Sequence, residues 1–180
     1  EVIDTTLAKR YAKALVEIGQ SNNALDKYGS DLTALKEIIF ESKDFREVLV
    51  SPVFTKDDKK KIAGEILAKI GADTVVKNFV NVLIDRKRID QLNGIETAYQ
   101  LNVDEIRGIT RGEVTSSEPL EKSDLSRVTE VLSKISGKMV IVTTKVDPTL
   151  IGGLVARVGD MVFDGTIRTQ LNQLKESLKG

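Results

Sequence analysis

Through the first hundred positions, apolar residues recur every three or four places, the period of a helix with one buried face. Leu7, Tyr11, Ala14, Leu15 and Ile18 predict an amphipathic helix over about residues 4–19. Leu25, Tyr28, Leu32, Leu35 and Ile39 continue the pattern in a second, longer helix. A short segment over Asp44–Val50 is stopped by Ser51-Pro52. Thr55 then stands at an N-cap position, with Asp57 and Asp58 in a first turn where the helix dipole favours anions. Ile62, Ile66, Leu67 and Ile70 are expected to face inward before Gly71 ends that helix. Further helices are expected over about Asp73–Arg86 and from Ile89 toward Ile106.

The pattern changes near Arg107. "RGITRGEVTSSEP" mixes β-branched residues with two glycines and a proline, and reads as a strand with a linker before it. Leu125, Val128, Leu132 and Ile135 form a helical stripe over 122–136, closed by Gly137. "KMVIVTTKV" (138–146) is β-branched and alternating, hence a strand. A final helix over about Thr166–Leu178 would carry Ile167, Leu171, Leu174 and Leu178 on one face. The expected fold class is mainly α. A six-helix bundle over residues 1–106 precedes a small α+β domain over 107–180.

One stretch invites a catalytic reading. "DPTLIGGLVARVGDMVFDGTIRTQL" (147–171) holds Gly152-Gly153, Gly159 and Gly165 among apolar residues. A phosphate cradle needs glycines at fixed spacing between a strand and a helix. Here Gly152-Gly153 leads into "LVARVG", which is strand-like, and neither G-x-G-x-x-G nor Gly-Lys-Ser/Thr is present. The glycines fit structural turns better. Asp147-Pro148 starts a turn, Gly152-Gly153 lets the chain reverse or bulge into a strand, and Gly159-Asp160 fits a two-residue hairpin loop.

Composition narrows the chemistry further. The chain has 180 residues with no cysteine and no histidine, which excludes disulfides, thiolates and Ser–His or Cys–His nucleophiles. The usual zinc, haem and iron–sulfur ligands are missing too. No cofactor or metal is expected. Hydrophobic residues make 41% and charged residues 30%, ordinary for a globular domain, and no apolar run is long enough to span a bilayer. Residues 1–106 hold 16 Lys/Arg and 18 Asp/Glu and residues 107–180 hold 11 and 9, so neither half has the basic excess of a nucleic-acid-binding domain. "KDDKKK" (56–61) lacks interleaved aromatics and reads as a solvated helix face. "DRKR" (85–88) sits at a helix end, where cations suit the dipole. Asp57-Asp58 and Asp104-Glu105 fall in helix-end patterns and make no case for acid–base catalysis.

The glycine-rich stretch, read on through "NQL", resembles the C-terminal signature of the delta subunit of F-type ATP synthases, a family that includes the oligomycin-sensitivity-conferring protein. Asp-Pro, Ile-Gly-Gly, an apolar strand, Gly-Asp and Asp-Gly-Thr follow in that family's order. "LAKRYAKAL" (7–15) resembles its N-terminal helix, and "NFVNVLIDRKRIDQL" (78–92) its fifth helix and following turn. Two departures stand out. Thr166 replaces the commoner Ser, and Thr169-Gln170 replaces a frequent Gly-Arg, leaving the terminal helix less basic.

The resemblance implies a non-catalytic peripheral-stalk subunit, one copy per complex, that links the catalytic head to the b-subunit stator and resists rotation during proton-driven synthesis. It implies that residues 1–106 bind the N-terminal segments of the alpha subunits in a groove between the first and fifth helices. It also implies that residues 107–180 meet the C-terminal ends of the b-subunit dimer, with no nucleic acid and no direct membrane insertion. The residues are compatible with such a groove. Leu7, Tyr11, Ala14 and Ile18 share a face of the first helix. In the fifth, Val76, Phe79, Val80 and Leu83 form a stripe that Val75 and Val82 broaden, with Asn78 at its polar edge. So broad an apolar arc fits either a central core helix or one touching a second body. The groove residues expected are Tyr11, Ala14, Asn78 and Val82.

The Gly-Asp and Asp-Gly-Thr pattern is similar to bacterial or chloroplast members. With no transit-peptide pattern in view, the expected place is the cytoplasmic face of a bacterial inner membrane. The rival readings are a generic helical adaptor with an unrelated partner and a small nucleotide-handling enzyme built on the glycine-rich stretch. The second region is small for its surface, so it is expected to be loosely ordered alone and stabilised by its stalk partner.

Overall fold

The computed structural model describes residues 5–167 and 169. Helices α1 (Thr5–Ser21), α2 (Leu25–Glu41), α3 (Lys43–Val50), α4 (Lys56–Lys69), α5 (Thr74–Asp85) and α6 (Leu92–Ile106) precede the first strand. Strand β1 (Ile109–Ser116), helix α7 (Lys122–Ser136) and strands β2 (Met139–Val146), β3 (Leu154–Val158) and β4 (Met161–Asp164) follow. The chain divides into two compact units, Glu1–Val103 and Asp104–Gly180. The fold is thus mainly helical with a small four-stranded sheet. The six-helix expectation is not met as stated. The helix foreseen from Ile89 begins as a separate 3-10 turn, Ile89–Gln91, and seven α-helices lie among the described residues. Of the foreseen terminal helix, Ile167 and Thr169 are helical; Leu171, Leu174 and Leu178 lie outside the described residues.

Local chemistry sets the starts of three helices of the first unit. Thr55 and Asp58 form a capping box at the start of α4: the Asp58 amide donates to the Thr55 hydroxyl, and the Thr55 amide donates to the Asp58 carboxylate. Ser42 caps α3 and Asp73 caps α5, the latter accepting from the Val75 amide at 2.7 Å. Asp31, buried on α2, accepts from the Asp73 amide at 2.8 Å and from Lys27, which ties α2 to the start of α5. Glu96 of α6 is buried and satisfied by Lys36 and Thr33 of α2.

The core of this unit gathers Leu15, Tyr28, Leu32, Leu35, Leu67, Val76, Val80, Leu83, Ile95 and Tyr99, each almost fully buried. Buried tyrosine oxygens find partners: Tyr99 donates to the Leu25 carbonyl, and Tyr28 accepts from Asn22. The α1 pattern needs correction. Its innermost line is Ala8, Ala12, Leu15 and Val16, and of the five residues expected to face inward only Leu15 is fully buried, with Leu7 and Tyr11 half-buried and Ala14 and Ile18 exposed. Small side chains let α1 approach its neighbours closely, so alanines take the inside positions. In α4, Ala63 and Leu67 are buried, while Ile62, Ile66 and Ile70 are half-buried.

The second unit is a mixed sheet in the order β2-β1-β3-β4. β1 and β2 are parallel, from Ile109 opposite Met139 to Ser116 opposite Val146, and α7 is the crossover they require. β3 runs antiparallel to β1 and forms a hairpin with β4, pairing Val158 with Met161 around Gly159-Asp160. Gly159 has φ 57° and Asp160 does not adopt positive φ, the arrangement of a type II′ turn with glycine first. The core here is Val114, Leu132, Val140, Ala156 and Val158. Of the foreseen α7 stripe only Leu132 is buried, and Ile135 is 52% exposed.

Candidate functional site

The glycine-rich stretch is the first place to look for chemistry, and its geometry is that of a chain reversal. Asp147 accepts from both the amide and the hydroxyl of Thr149, closing a turn at Pro148. Gly153 has φ 79°, and a Cβ there would lie 2.3 Å from the Gly165 carbonyl oxygen. The space a phosphate would need is filled by the chain itself. Asp164 accepts from the Thr166 amide at 2.9 Å and the Thr169 hydroxyl at 2.8 Å, so the Asp-Gly-Thr sequence starts a helix after β4. Those hydrogen bonds, the Thr166 amide first, hold the Asp164 carboxyl below the ordinary carboxylate value. Asp104 of the Asp104-Glu105 pair is likewise engaged, taking a two-pronged contact from Arg111 of β1.

The α1 and α5 flanks carry a different kind of site. Tyr11 and Phe79 meet edge to face, with ring centroids 6.2 Å apart and planes at 75°. Both are half-buried and pack on the first unit's core. α5 buries Val76, Val80, Leu83 and Ile84, as a core helix does, and keeps Val75 and Phe79 half-buried and Val82 exposed. Val82 is 46% exposed and Ile18 of α1 is 44% exposed. Ala14 and Asn78 are exposed. The structure therefore brings Tyr11 to α5 through Phe79 and leaves Ala14, Asn78 and Val82 as surface positions, with no direct contact between them established. Ala14 lies outside the buried line that holds Ala8 and Ala12. Phe79 was read only as part of the α5 stripe, and its role as the ring that meets Tyr11 was missed. Its position one turn before Leu83 and next to Asn78 was the available signal.

α1 and α5 each contribute to the buried core of the first unit and each leave one aliphatic side chain, Ile18 or Val82, about half-exposed. The comparisons name the family. The ATP synthase delta (OSCP) subunit profile matches residues 7–178. ATP synthase subunit delta of Desulfosudis oleivorans is 38% identical over 173 residues, covering 96% of this chain and 94% of that one. The Geobacter metallireducens subunit delta is 38% identical over 178 residues, 99% of each chain. A chain of the Toxoplasma gondii mitochondrial ATP synthase hexamer shares the fold, with a TM-score of 0.69 at 21% identity over 97% of this chain and 98% of its own. The chain belongs to the ATP synthase delta (OSCP) subunit family, and so is a structural stalk subunit of the F-type ATP synthase and not a catalytic one. Among the described residues, no helix is long and apolar enough to cross a membrane.

Proposed function

We propose that this subunit joins the catalytic head of ATP synthase to its peripheral stalk, so that the stator resists the torque of the rotating centre during proton-driven synthesis. The N-terminal helices receive the N-terminal amphipathic segments of the alpha subunits between α1 and α5. Tyr11 and Val82 supply apolar contact, Ala14 leaves room for a partner backbone, and Asn78 offers hydrogen bonds at the rim. The second unit takes the C-terminal ends of the b-subunit dimer. One copy serves each complex, on the cytoplasmic face of a bacterial inner membrane.

The observation that supports this reading is the Tyr11–Phe79 pair joining α1 and α5, with Ile18 and Val82 about half-exposed on the same two helices. Such side chains gain free energy only when a partner covers them. Reconstitution tests the proposal. ATP synthase depleted of this subunit should regain proton-driven synthesis when the chain is added. Val82→Asp, a change at a half-exposed site, should require about tenfold more chain for the same rate. Full activity of the variant at the wild-type concentration would refute the docking assignment.

A further inference from the structure

Lys27 and Asp31 stand four residues apart on α2, the spacing of an ordinary exposed ion pair that contributes little. The structure gives them another use. The Asp31 side chain is 4% exposed, while that of Lys27 is 47% exposed. One Asp31 carboxylate oxygen accepts from Lys27 at 2.7 Å. The other accepts from the Asp73 amide at 2.8 Å, 42 residues further along the chain. The Lys27 ammonium also donates to the Gly71 carbonyl at 2.9 Å. One turn of α2 thus holds the short connection between α4 and α5 at two points.

Asp73 is the N-cap of α5. Its carboxylate accepts from the Val75 amide, while its own amide is held by Asp31. The contacts run in series: Lys27 orients Asp31, Asp31 fixes Asp73, and Asp73 fixes the first turn of α5. A helix rises about 1.5 Å per residue, so a shift at the cap is carried to Phe79 about 9 Å on and to Val82 about 14 Å on. The Tyr11–Phe79 contact depends on that placement, because an edge-to-face pair needs both rings at a set distance and angle. Glu96 provides a contrast. It is a buried carboxylate too, but its hydrogen bonds from Lys36 and Thr33 tie α6 to α2, not α5 to α2.

We infer that Asp31 is a positioning residue for the α1–α5 face, acting through the Asp73 amide. The inference rests on the reading of that face as the seat for the head. Asp31 is buried, so it influences a partner through α5 and not by contact. The working atom is the acceptor oxygen. Without it the Asp73 amide must move to find another acceptor, taking the cap of α5 with it.

The test compares Asp31→Ala, Asp31→Asn and Glu96→Ala in the full chain. Asn keeps an oxygen that can accept from the Asp73 amide, and Ala does not. NMR of the Tyr11 and Phe79 ring resonances reports the ring geometry whether or not a partner is present. Those resonances should move in Asp31→Ala and stay near wild type in Asp31→Asn and Glu96→Ala. Affinity for a synthetic alpha-subunit N-terminal peptide should fall about tenfold in Asp31→Ala and less than about twofold in the other two. Circular dichroism verifies that each variant is folded. Should Asp31→Ala fail to fold, Lys27→Met removes the half-exposed end of the series, and should move the same resonances in a chain that keeps its buried carboxylate. Ring resonances unmoved in the folded variant, or moved equally by Glu96→Ala, would overturn the inference. So would moved rings with unchanged peptide affinity. If the wild-type chain binds no peptide, the docking reading fails, and the ring resonances still decide whether Asp31 places α5.

Discussion

An alanine at position 153 would place its Cβ 2.3 Å from the Gly165 carbonyl oxygen, in a backbone already at φ 79°. Neither the steric clash nor the left-handed conformation can be relieved by a rotamer change, since the opposing atoms are backbone. Gly153→Ala should therefore lower unfolding free energy by about 2–4 kcal/mol, measured by chemical denaturation. Gly64 is the control. It lies inside α4 with nothing within 4 Å of an added Cβ. Gly64→Ala should stabilise by about 0.5–1 kcal/mol, because alanine loses less conformational freedom on entering a helix. The sequence already sets Gly153 at a chain reversal and Gly64 inside a helix, and the structure adds that only Gly153 is closely surrounded by backbone.

At the scale of elements, helix and strand starts were readable because short polar side chains make local hydrogen bonds. Thr55 acts at the N-cap position its sequence context predicts, and in the structure Asp73 and Asp164 make the same kind of contact at the start of α5 and just after β4. These contacts carry a pH dependence. Hydrogen bonds from Thr55, Thr149 and Thr166 hold the carboxyls of Asp58, Asp147 and Asp164 below their ordinary value. A depressed carboxylate contributes stability above its unfolded pKa of about 3.9 and loses it as pH falls through the folded value. Stability measured by thermal melts should thus be flat from neutrality toward that value and decline below it. Replacing Asp164 with Asn should reduce that decline. The inside face of α1 was not readable, because a pattern of large apolar residues points to Leu7, Tyr11 and Ile18 while the packed line runs through Ala8 and Ala12. Of these larger residues Tyr11, half-buried against the core, is the one among the expected groove residues. Strand order was also beyond the sequence: β1 pairs with both β2 and β3, and nothing local specifies which strands become neighbours.

At the scale of the molecule, the two units differ in how much they bury. The first holds a core of 21 buried apolar residues, and the second, among its described residues, five. A unit of about 70 residues has little core for its surface and gains most from a bound partner. Hydrogen exchange of the full chain should show β2 and β4 amides protected more strongly when the C-terminal segment of the b subunit is present. Equal, strong protection in both states would show that the unit needs no partner.

The central claim is that α1 and α5 form the seat for the head. Its most direct test is an NMR titration of the full chain with a synthetic peptide of the alpha-subunit N-terminus. The account predicts shifts concentrated at Tyr11, Ala14, Asn78, Phe79 and Val82, and their loss in Val82→Asp. Shifts confined to other helices, or none up to millimolar peptide, the weak end of specific recognition, would contradict it.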